Sequence, residues 1–285
     1  MKRVLVVLVA LSLVLFASNA FALSITNMTT AANLATALTG SGVSISNVTY
    51  AGDTLASGTF TGGVAGGLGI ESGVVLTSSH VTPFLNHSNN STGSYTINNS
   101  AGSGNVHLNG VATGSVNDAS MLGFDFVSNG DAAYFNYVFG SEEYNEWVGS
   151  QYNDVFGFFV AGVTTPSPFV NVALIPGTST PVAINNVNNG SYSAYYNDNT
   201  GGAFANELDG FTTVLQAQVT GLTAGETYHI DMAVCDVGDS AYDAAVFIQA
   251  GSFSDKPTDP SIPEPGTMLL LGSGLLGLVG YRKKS

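Results

Sequence analysis

Tyr134-Phe135-Asn136-Tyr137-Val138-Phe139 and, after a turn-rich interval, Val155-Phe156-Gly157-Phe158-Phe159-Val160 decide the fold of this chain. Both runs are short and rich in aromatic and β-branched residues, which suits strands rather than helices. Successive side chains of a strand point to opposite faces. Here apolar residues occupy nearly every position, so both faces must be buried, as in strands central to a sandwich or covered by loops. These two segments are the expected core.

Further strands follow outward from them. Met121–Val127 leads into the turn Ser128-Asn129-Gly130-Asp131 and on to Ala132–Phe139, and the pair reads as a β-hairpin. Strands are also expected at Val43–Tyr50, Val74–Thr77 after the glycine-rich stretch Gly62–Gly73, Val170–Ile175, Val182–Ile184, Phe211–Val219, Thr227–Val234 and Ala244–Phe253. One helix is expected, at Thr30–Leu38, where Leu34, Ala37 and Leu38 share a face and Gly40 stops it. Ten or more short strands with few helices imply an all-β class: a two-sheet antiparallel β-sandwich of jelly-roll type with one short N-terminal helix. Residues 86–118, dominated by Asn, Ser, Gly and Thr, read as a long surface excursion. The Asn-x-Ser/Thr triplets at Asn90, Asn98 and Asn189 read as by-products of that composition.

Both ends of the chain have a different texture. Met1-Lys2-Arg3, the apolar Val4–Phe16 and Ala20-Phe21-Ala22 form a signal peptide over residues 1–22, with cleavage between Ala22 and Leu23. At the other end, Pro263-Glu264-Pro265-Gly266 precedes an apolar run from Met268 to Val279, and Tyr281-Arg282-Lys283-Lys284-Ser285 follows. Residues 268–281 include four glycines and, as a helix, cover about 21 Å, short of the roughly 30 Å of a bilayer core. Such a segment anchors marginally, with Arg282, Lys283 and Lys284 on the cytoplasmic side. This end resembles the PEP-CTERM sorting signal of exported proteins of Gram-negative bacteria: a Pro-Glu-Pro motif, a short transmembrane segment and a basic cluster. The resemblance implies an exosortase-type sorting enzyme as partner, transient inner-membrane anchoring, and processing near Pro263-Glu264-Pro265 on the way to the surface. The expected division is signal peptide 1–22, β-sandwich domain 23–253, extended linker 254–262 and sorting signal 263–285.

Charge narrows the function. Of twenty acids in the chain, nineteen fall in residues 23–262 against the single base Lys256, a formal charge of −18. Nucleic acid and anionic membrane surfaces are disfavoured as partners. Carboxylates that the fold brings together have almost no cationic side chain to neutralise them. Cys235 is the only cysteine, so no intrachain disulfide exists, and it reads as a small buried hydrophobe.

Oxygen donors concentrate at expected strand ends and turns: Asp118, Glu142, Glu143, Glu146, Asn153 and Asp154, then Asp209, Asp236, Asp239 and Asp243. Hard oxygen ligands without thiolates or bases among them favour Ca²⁺ over zinc or copper. The candidate metal set is Glu142, Glu143, Asp154, Asp209, Asp236, Asp239 and Asp243. The spacing is not that of an EF-hand, and solvated turn carboxylates are the competing reading. Within the domain, Phe139-Gly140-Ser141-Glu142-Glu143-Tyr144, Asn153-Asp154-Val155-Phe156-Gly157-Phe158-Phe159, Val182-Ala183-Ile184-Asn185-Asn186-Val187-Asn188, Asp209-Gly210, Gly225-Glu226-Thr227-Tyr228-His229-Ile230, Asp236-Val237-Gly238-Asp239 and Ala250-Gly251-Ser252-Phe253 resemble the choice-of-anchor L family. That resemblance covers most of residues 30–253. It implies a surface domain joined to a sorting signal and carries no catalytic assignment.

Enzymatic readings find little support. Adjacent Glu142 and Glu143 face opposite sides of a strand, so a glycosidase pair would need a distant partner such as Asp154 or Asp209. His229 lies beside Asp231, but there is no Gly-x-Ser-x-Gly elbow and no His-Glu-x-x-His motif. His80, His87 and His107 read as surface histidines. Trp147, Tyr192, Tyr195 and Tyr196 could stack on sugars or cap the sandwich ends. The expectation is an exported, non-enzymatic structural or adhesive protein of the cell surface or extracellular polysaccharide matrix, stabilised by calcium. A lectin-like carbohydrate-binding module is the alternative, and a glycosidase the remoter one.

Overall fold

A computed structural model describes residues 23–85 and 107–259. The signal peptide with Ala22, the C-terminal apolar segment, and the sorting residues Pro263, Glu264, Pro265, Arg282, Lys283 and Lys284 lie outside the described residues. The strands are β1 (Ser24–Asn27), β2 (Val43–Ala51), β3 (Ser57–Thr61), β4 (Ser72–Thr77), β5 (Val116–Ser128), β6 (Ala132–Ser141), β7 (Val155–Gly162), β8 (Val170–Asn171), β9 (Tyr196–Asp198), β10 (Gly210–Thr212), β11 (Leu215–Thr220), β12 (Thr227–Val237) and β13 (Ala244–Gln249). They form two antiparallel sheets. One has eight strands in the order β1-β3-β4-β13-β6-β10-β9, with β11 also paired to β6; the other has five, in the order β2-β5-β12-β7-β8. The all-β sandwich expected from the sequence is what forms.

Alternation explains where the core sits. From β6 the side chains of Ala133, Phe135, Tyr137 and Phe139 point between the sheets, and from β7 so do Phe156, Phe158 and Val160. Phe135 meets Phe158 edge-on at 4.6 Å between ring centroids, Tyr137 meets Phe158 at 5.1 Å, and Phe139 stacks on Phe156 at 4.9 Å. Such pairs add to the transfer energy of the rings themselves. The outer faces are covered as well. Phe60, Val75, Val138, Phe211 and Phe247 bury the outside of the eight-stranded sheet, and Val155, Phe159, Ala233 and Cys235 that of the five-stranded sheet. Burial on both faces is why alternation is lost in β6 and β7. Cys235 is buried and unpaired in that outer layer.

The expected helix forms as α1 (Ala31–Leu38); the Thr30 side chain caps it by accepting from the Asn33 N–H, and Leu34, Ala35 and Leu38 are buried. A second short helix, α2 (Val81–Leu85), follows β4.

The expected hairpin does not form. β5 belongs to the five-stranded sheet, between β2 and β12, while β6 belongs to the other, between β13 and the β10 and β11 strands. Residues Ser128–Asp131 therefore carry the chain across the sandwich. Their backbone groups bond other loops: Asn129 N–H to Gly42, Gly225 N–H to Ser128 and Leu222 N–H to Asp131. Those outside partners replace the ladder that a hairpin would supply. Three other expected strands are shortened. Val182–Ile184 is an isolated bridge from Ala183 to Val155, Val170–Ile175 keeps only β8 as a strand, and Phe211–Val219 splits into β10 and β11.

Truncating Phe158 to Ala should cost about 3–5 kcal/mol, because its ring is fully buried among other rings that cannot collapse onto the gap. Urea unfolding should show a lower midpoint at an unchanged slope. A loss below about 1 kcal/mol would mean that this ring is not central to the core.

Candidate functional site

The apolar rows between the sheets end, on one side of the sandwich, in a polar layer. By the same alternation Ser78, Ser120, Ser141, Asp154 and Asp236 occupy the inward positions beyond the last aromatic rings. Asp236 follows Cys235, which pairs with Val155, so Asp154 and Asp236 come side by side at the ends of β7 and β12. Asp236 also pairs with Asn117 of β5, across an irregularity between Val234 and Asp236. There Asp118 takes a left-handed backbone (φ 47°), a conformation that Asp accepts more readily than most residues. Ala244 pairs with Ser141, and the Glu142 N–H donates to the Asp243 carbonyl, which draws Asp243 in from β13.

The Ser141 hydroxyl organises this layer. It donates to Asp154 Oδ2 at 2.9 Å and accepts the Glu143 N–H at 2.9 Å, while Asp154 Oδ1 accepts the Val237 N–H at 3.1 Å. Asp154, Asp236 and Asp243 are completely buried, Glu142 and Glu143 almost so, whereas Asp239 is exposed. Neither carboxylate oxygen of Asp236 has a hydrogen-bond partner of good geometry, nor does Glu143 Oε2. The Ser78 hydroxyl, which favours the ionised form of Asp236, is engaged with the Ala244 backbone, accepting its N–H at 2.9 Å.

Burial pushes Asp154 well above the usual carboxylate range; the Ser141 and Val237 hydrogen bonds oppose this, and the charges of Asp243 and Asp239 add to it. Burial, then Asp154 and Asp243, do the same to Asp236. Glu143 is pushed up to about 9 by burial and by Asp154, Asp239 and Glu146. Six of the seven candidate metal residues thus gather at one end. Asp209 stands to the side: it precedes Gly210, the partner of Ser141, but its charge acts on Tyr196 and Glu207. Among the described residues no three His, Cys, Asp or Glu side chains are arranged to hold a metal ion as they stand. Ser78 and Ser120, which complete the layer, carry no sequence signal beyond their place in the strand alternation.

The aromatics expected to stack on sugars or to cap the sandwich ends divide. Tyr195 and Tyr196 pack on the core, and Tyr196 bonds Asn145 Oδ1 at 2.8 Å. Trp147 and Tyr192 are exposed, at 36% and 45%. Trp147 lies beside Tyr152 and Tyr242, with ring centroids 5.2 and 6.2 Å away.

Comparison with known proteins places all but the last five described residues in one family. The model of the Choice-of-anchor L domain matches residues 22–254. The chain belongs to that family. The PEP-CTERM protein-sorting motif matches residues 261–284. No curated protein and no solved structure matches the chain. A choice-of-anchor L domain carrying this motif is an exported, C-terminally sorted surface protein, and the motif implies recognition by an exosortase-type sorting enzyme. Among the described residues no helix is long and apolar enough to cross a membrane.

A second titratable group occupies the outer face of the five-stranded sheet of this choice-of-anchor L domain. His229 donates from Nδ1 to Asp125 Oδ1 at 2.6 Å and from Nε2 to Asp231 Oδ1 at 3.1 Å, and His107 Nε2 lies 3.2 Å from Asp231 Oδ2. Asn47 supports Asp125 through its other oxygen, at 2.6 Å. Gly123 makes the room: a Cβ there would strike Asp231 Oδ1 and Thr49 Oγ1. A carboxylate on each ring nitrogen favours the imidazolium form of His229, and both nitrogens are engaged. Burial alone would lower its pKa, but the hydrogen bonds and charges of Asp125 and Asp231 outweigh that and raise it.

A raised histidine pKa stabilises the fold fully below the ordinary value near 6.5, and the gain is lost as pH rises through the folded value. Asp125 is lowered, since Asn47 and His229 overcome its burial, so its contribution is lost as pH falls through its own folded value. His229→Gln should therefore lower the thermal midpoint more at pH 5.5 than at pH 8.5, and the wild-type His229 ring should titrate above 6.5 by NMR. A midpoint difference independent of pH would contradict the doubly bonded imidazolium.

Proposed function

We propose that this surface protein is a non-enzymatic structural or adhesive component of the cell surface or extracellular matrix, with a domain stabilised by calcium at the acidic end. The supporting observation is the pairing of Asp154 and Asp236, fully buried side by side, with no hydrogen bond of good geometry to Asp236, in a domain whose one lysine or arginine is Lys256. Buried carboxylates without partners are costly as anions. A hard cation would relieve that cost, and Ca²⁺ accepts six to eight oxygens in flexible geometry. Asp154, Asp236, Asp243 and Glu143 are the residues that would hold it, with Glu142, Asp239 and Asp209 at the margin. Side-chain movement on binding is required, given how the groups stand.

The non-enzymatic reading is supported by His229, whose two nitrogens are both committed to carboxylates. Carbohydrate binding is the second reading, favoured by exposed Trp147 beside Tyr152 and Tyr242 at the acidic end. An extracellular polysaccharide would then be the partner. Binding to a polysaccharide that disappears in chelator and in Trp147→Ala would select this reading over the purely structural one. We further propose that the short glycine-rich C-terminal span anchors the protein transiently and is removed.

Calcium at 100 times its Kd should stabilise the domain by about 2.7 kcal/mol. For a domain of this size that is a rise of roughly 5–10 °C in Tm, reversed by EDTA. Asp236→Asn should abolish the response and, in EDTA at pH 8, melt no lower than wild type. An unchanged Tm with calcium, together with no metal by elemental analysis, would sink the calcium reading. Mass spectrometry of the surface-located protein should find Arg282-Lys283-Lys284 missing; an intact end would replace sorting with plain anchoring.

A further inference from the structure

The segment that leaves the domain is fastened to it. After β13 the chain turns and pairs with β6 at one point, where the Tyr134 N–H donates to Ser254 and the Ser254 N–H to Tyr134, at 2.9 and 3.1 Å. The Asp255 N–H then donates to Ser41 at 3.0 Å. Beyond it, Thr258 is held by side-chain amides from two strands of the eight-stranded sheet, β6 and β11. Asn136 Nδ2 donates to the Thr258 carbonyl at 3.1 Å and to its Oγ1 at 3.0 Å, and Gln216 Nε2 donates to the same carbonyl at 3.2 Å. The amides also brace one another: Asn136 Nδ2 donates to Gln249 Oε1 at 2.9 Å, and Gln216 Nε2 to Asn136 Oδ1 at 3.0 Å.

These three amides are aligned by register. Gln216 of β11 is the direct cross-strand partner of Asn136 of β6, and odd-numbered Gln249 shares the outward face of β13 with Phe247. Asn136 is fully buried and Gln249 nearly so. A buried amide that loses its acceptor costs free energy. The sheet therefore favours keeping Thr258 in place.

We infer that Asn136, Gln216 and Gln249 form a binding site for the chain's own exit segment, and that its occupancy sets the tether offered to the sorting enzyme. The inference rests on the sorting reading for its consequence, not for its geometry. From Ser254 to Pro263 the sequence has nine residues of linker, an extended reach of about 32 Å. With Thr258 held, only five steps separate it from Pro263, a reach of about 18 Å. The start of the Pro-Glu-Pro motif is thus kept within about 18 Å of the grip at Thr258, and an enzyme acting there must work against the outer face of the eight-stranded sheet or wait for the grip to open. Clasp closure slows processing of the folded protein.

Two changes to the full-length chain test this. Thr258→Val with Gln216→Ala weakens the grip while leaving the buried Asn136–Gln249 pair intact, and a five-residue Gly-Ser insertion between Asp259 and Pro260 lengthens the tether without touching it. Hydrogen exchange at the Asn136 side-chain amide, which donates to Thr258, should quicken at least tenfold in the double variant and stay as in wild type in the insertion. Pulse-chase conversion of precursor to mature protein should quicken at least threefold in both. Unchanged exchange in the double variant overturns the binding site itself. Quickened exchange with unchanged conversion in both overturns its role in processing. Wild-type chain that is never converted overturns the sorting reading and the consequence for processing with it, while the exchange measurement still decides whether the clasp exists.

Discussion

The contact of aromatic rings from β6 with those from β7 across the sandwich is the constraint on which the rest depends. Phe135, Tyr137 and Phe139 on one sheet and Phe156 and Phe158 on the other form a dry wall that sets the separation of the sheets. Those strands are also covered on their outer sides, and the residues at their ends are held by the same packing. Ser141 ends β6, Asp154 precedes β7, and the hydrogen bond between them closes the wall at the acidic end. Flexible loops alone would let several carboxylates drift apart; here two of them, Asp154 and Asp236, are carried on adjoining strands.

The electrostatic character of that end follows from composition as much as from geometry. In a domain with one lysine, like charges brought together by strand pairing cannot be paired with side-chain cations, so protonation, hydrogen bonds or a bound ion must answer for them. The fold uses hydrogen bonds for Asp154 and leaves Asp236 without good ones. On the opposite sign of the same problem, His229 supplies one of the few positive charges and is placed between two carboxylates on a sheet face. The two groups show how a chain so short of basic residues distributes what it has.

Much of this was legible in the sequence. Unbroken apolar runs located β6 and β7, helical spacing with a glycine stop located α1, and the clustering of acids at strand ends anticipated the acidic layer. What could not be read was which sheet a strand joins. The turn Ser128-Asn129-Gly130-Asp131 has hairpin chemistry, yet alternation is the same whether the next strand pairs with its predecessor or crosses to face it, and only long-range partners such as Gly42 and Leu222 decide. Strands such as β3, Ser-Gly-Thr-Phe-Thr, carry one large apolar residue and give little periodic signal. The grip on Thr258 was invisible because Asn136, Gln216 and Gln249 meet only through register.

The place of β13 has a consequence for how the protein is made. Although it is the last of the described strands, it lies in the middle of its sheet, between β4 and β6. A chain emerging from its N-terminus presents both of those strands with open edges until residues 244–249 arrive. The sheet is then completed from the inside, in a late step that joins segments far apart in sequence, and pairings of that kind form slowly. The order suits a protein that must cross a membrane before it folds: nearly the whole domain has to be across before its central ladder can close. A chain cut short before Ala244 would expose two unpaired edges, the surfaces from which strand-to-strand aggregation starts.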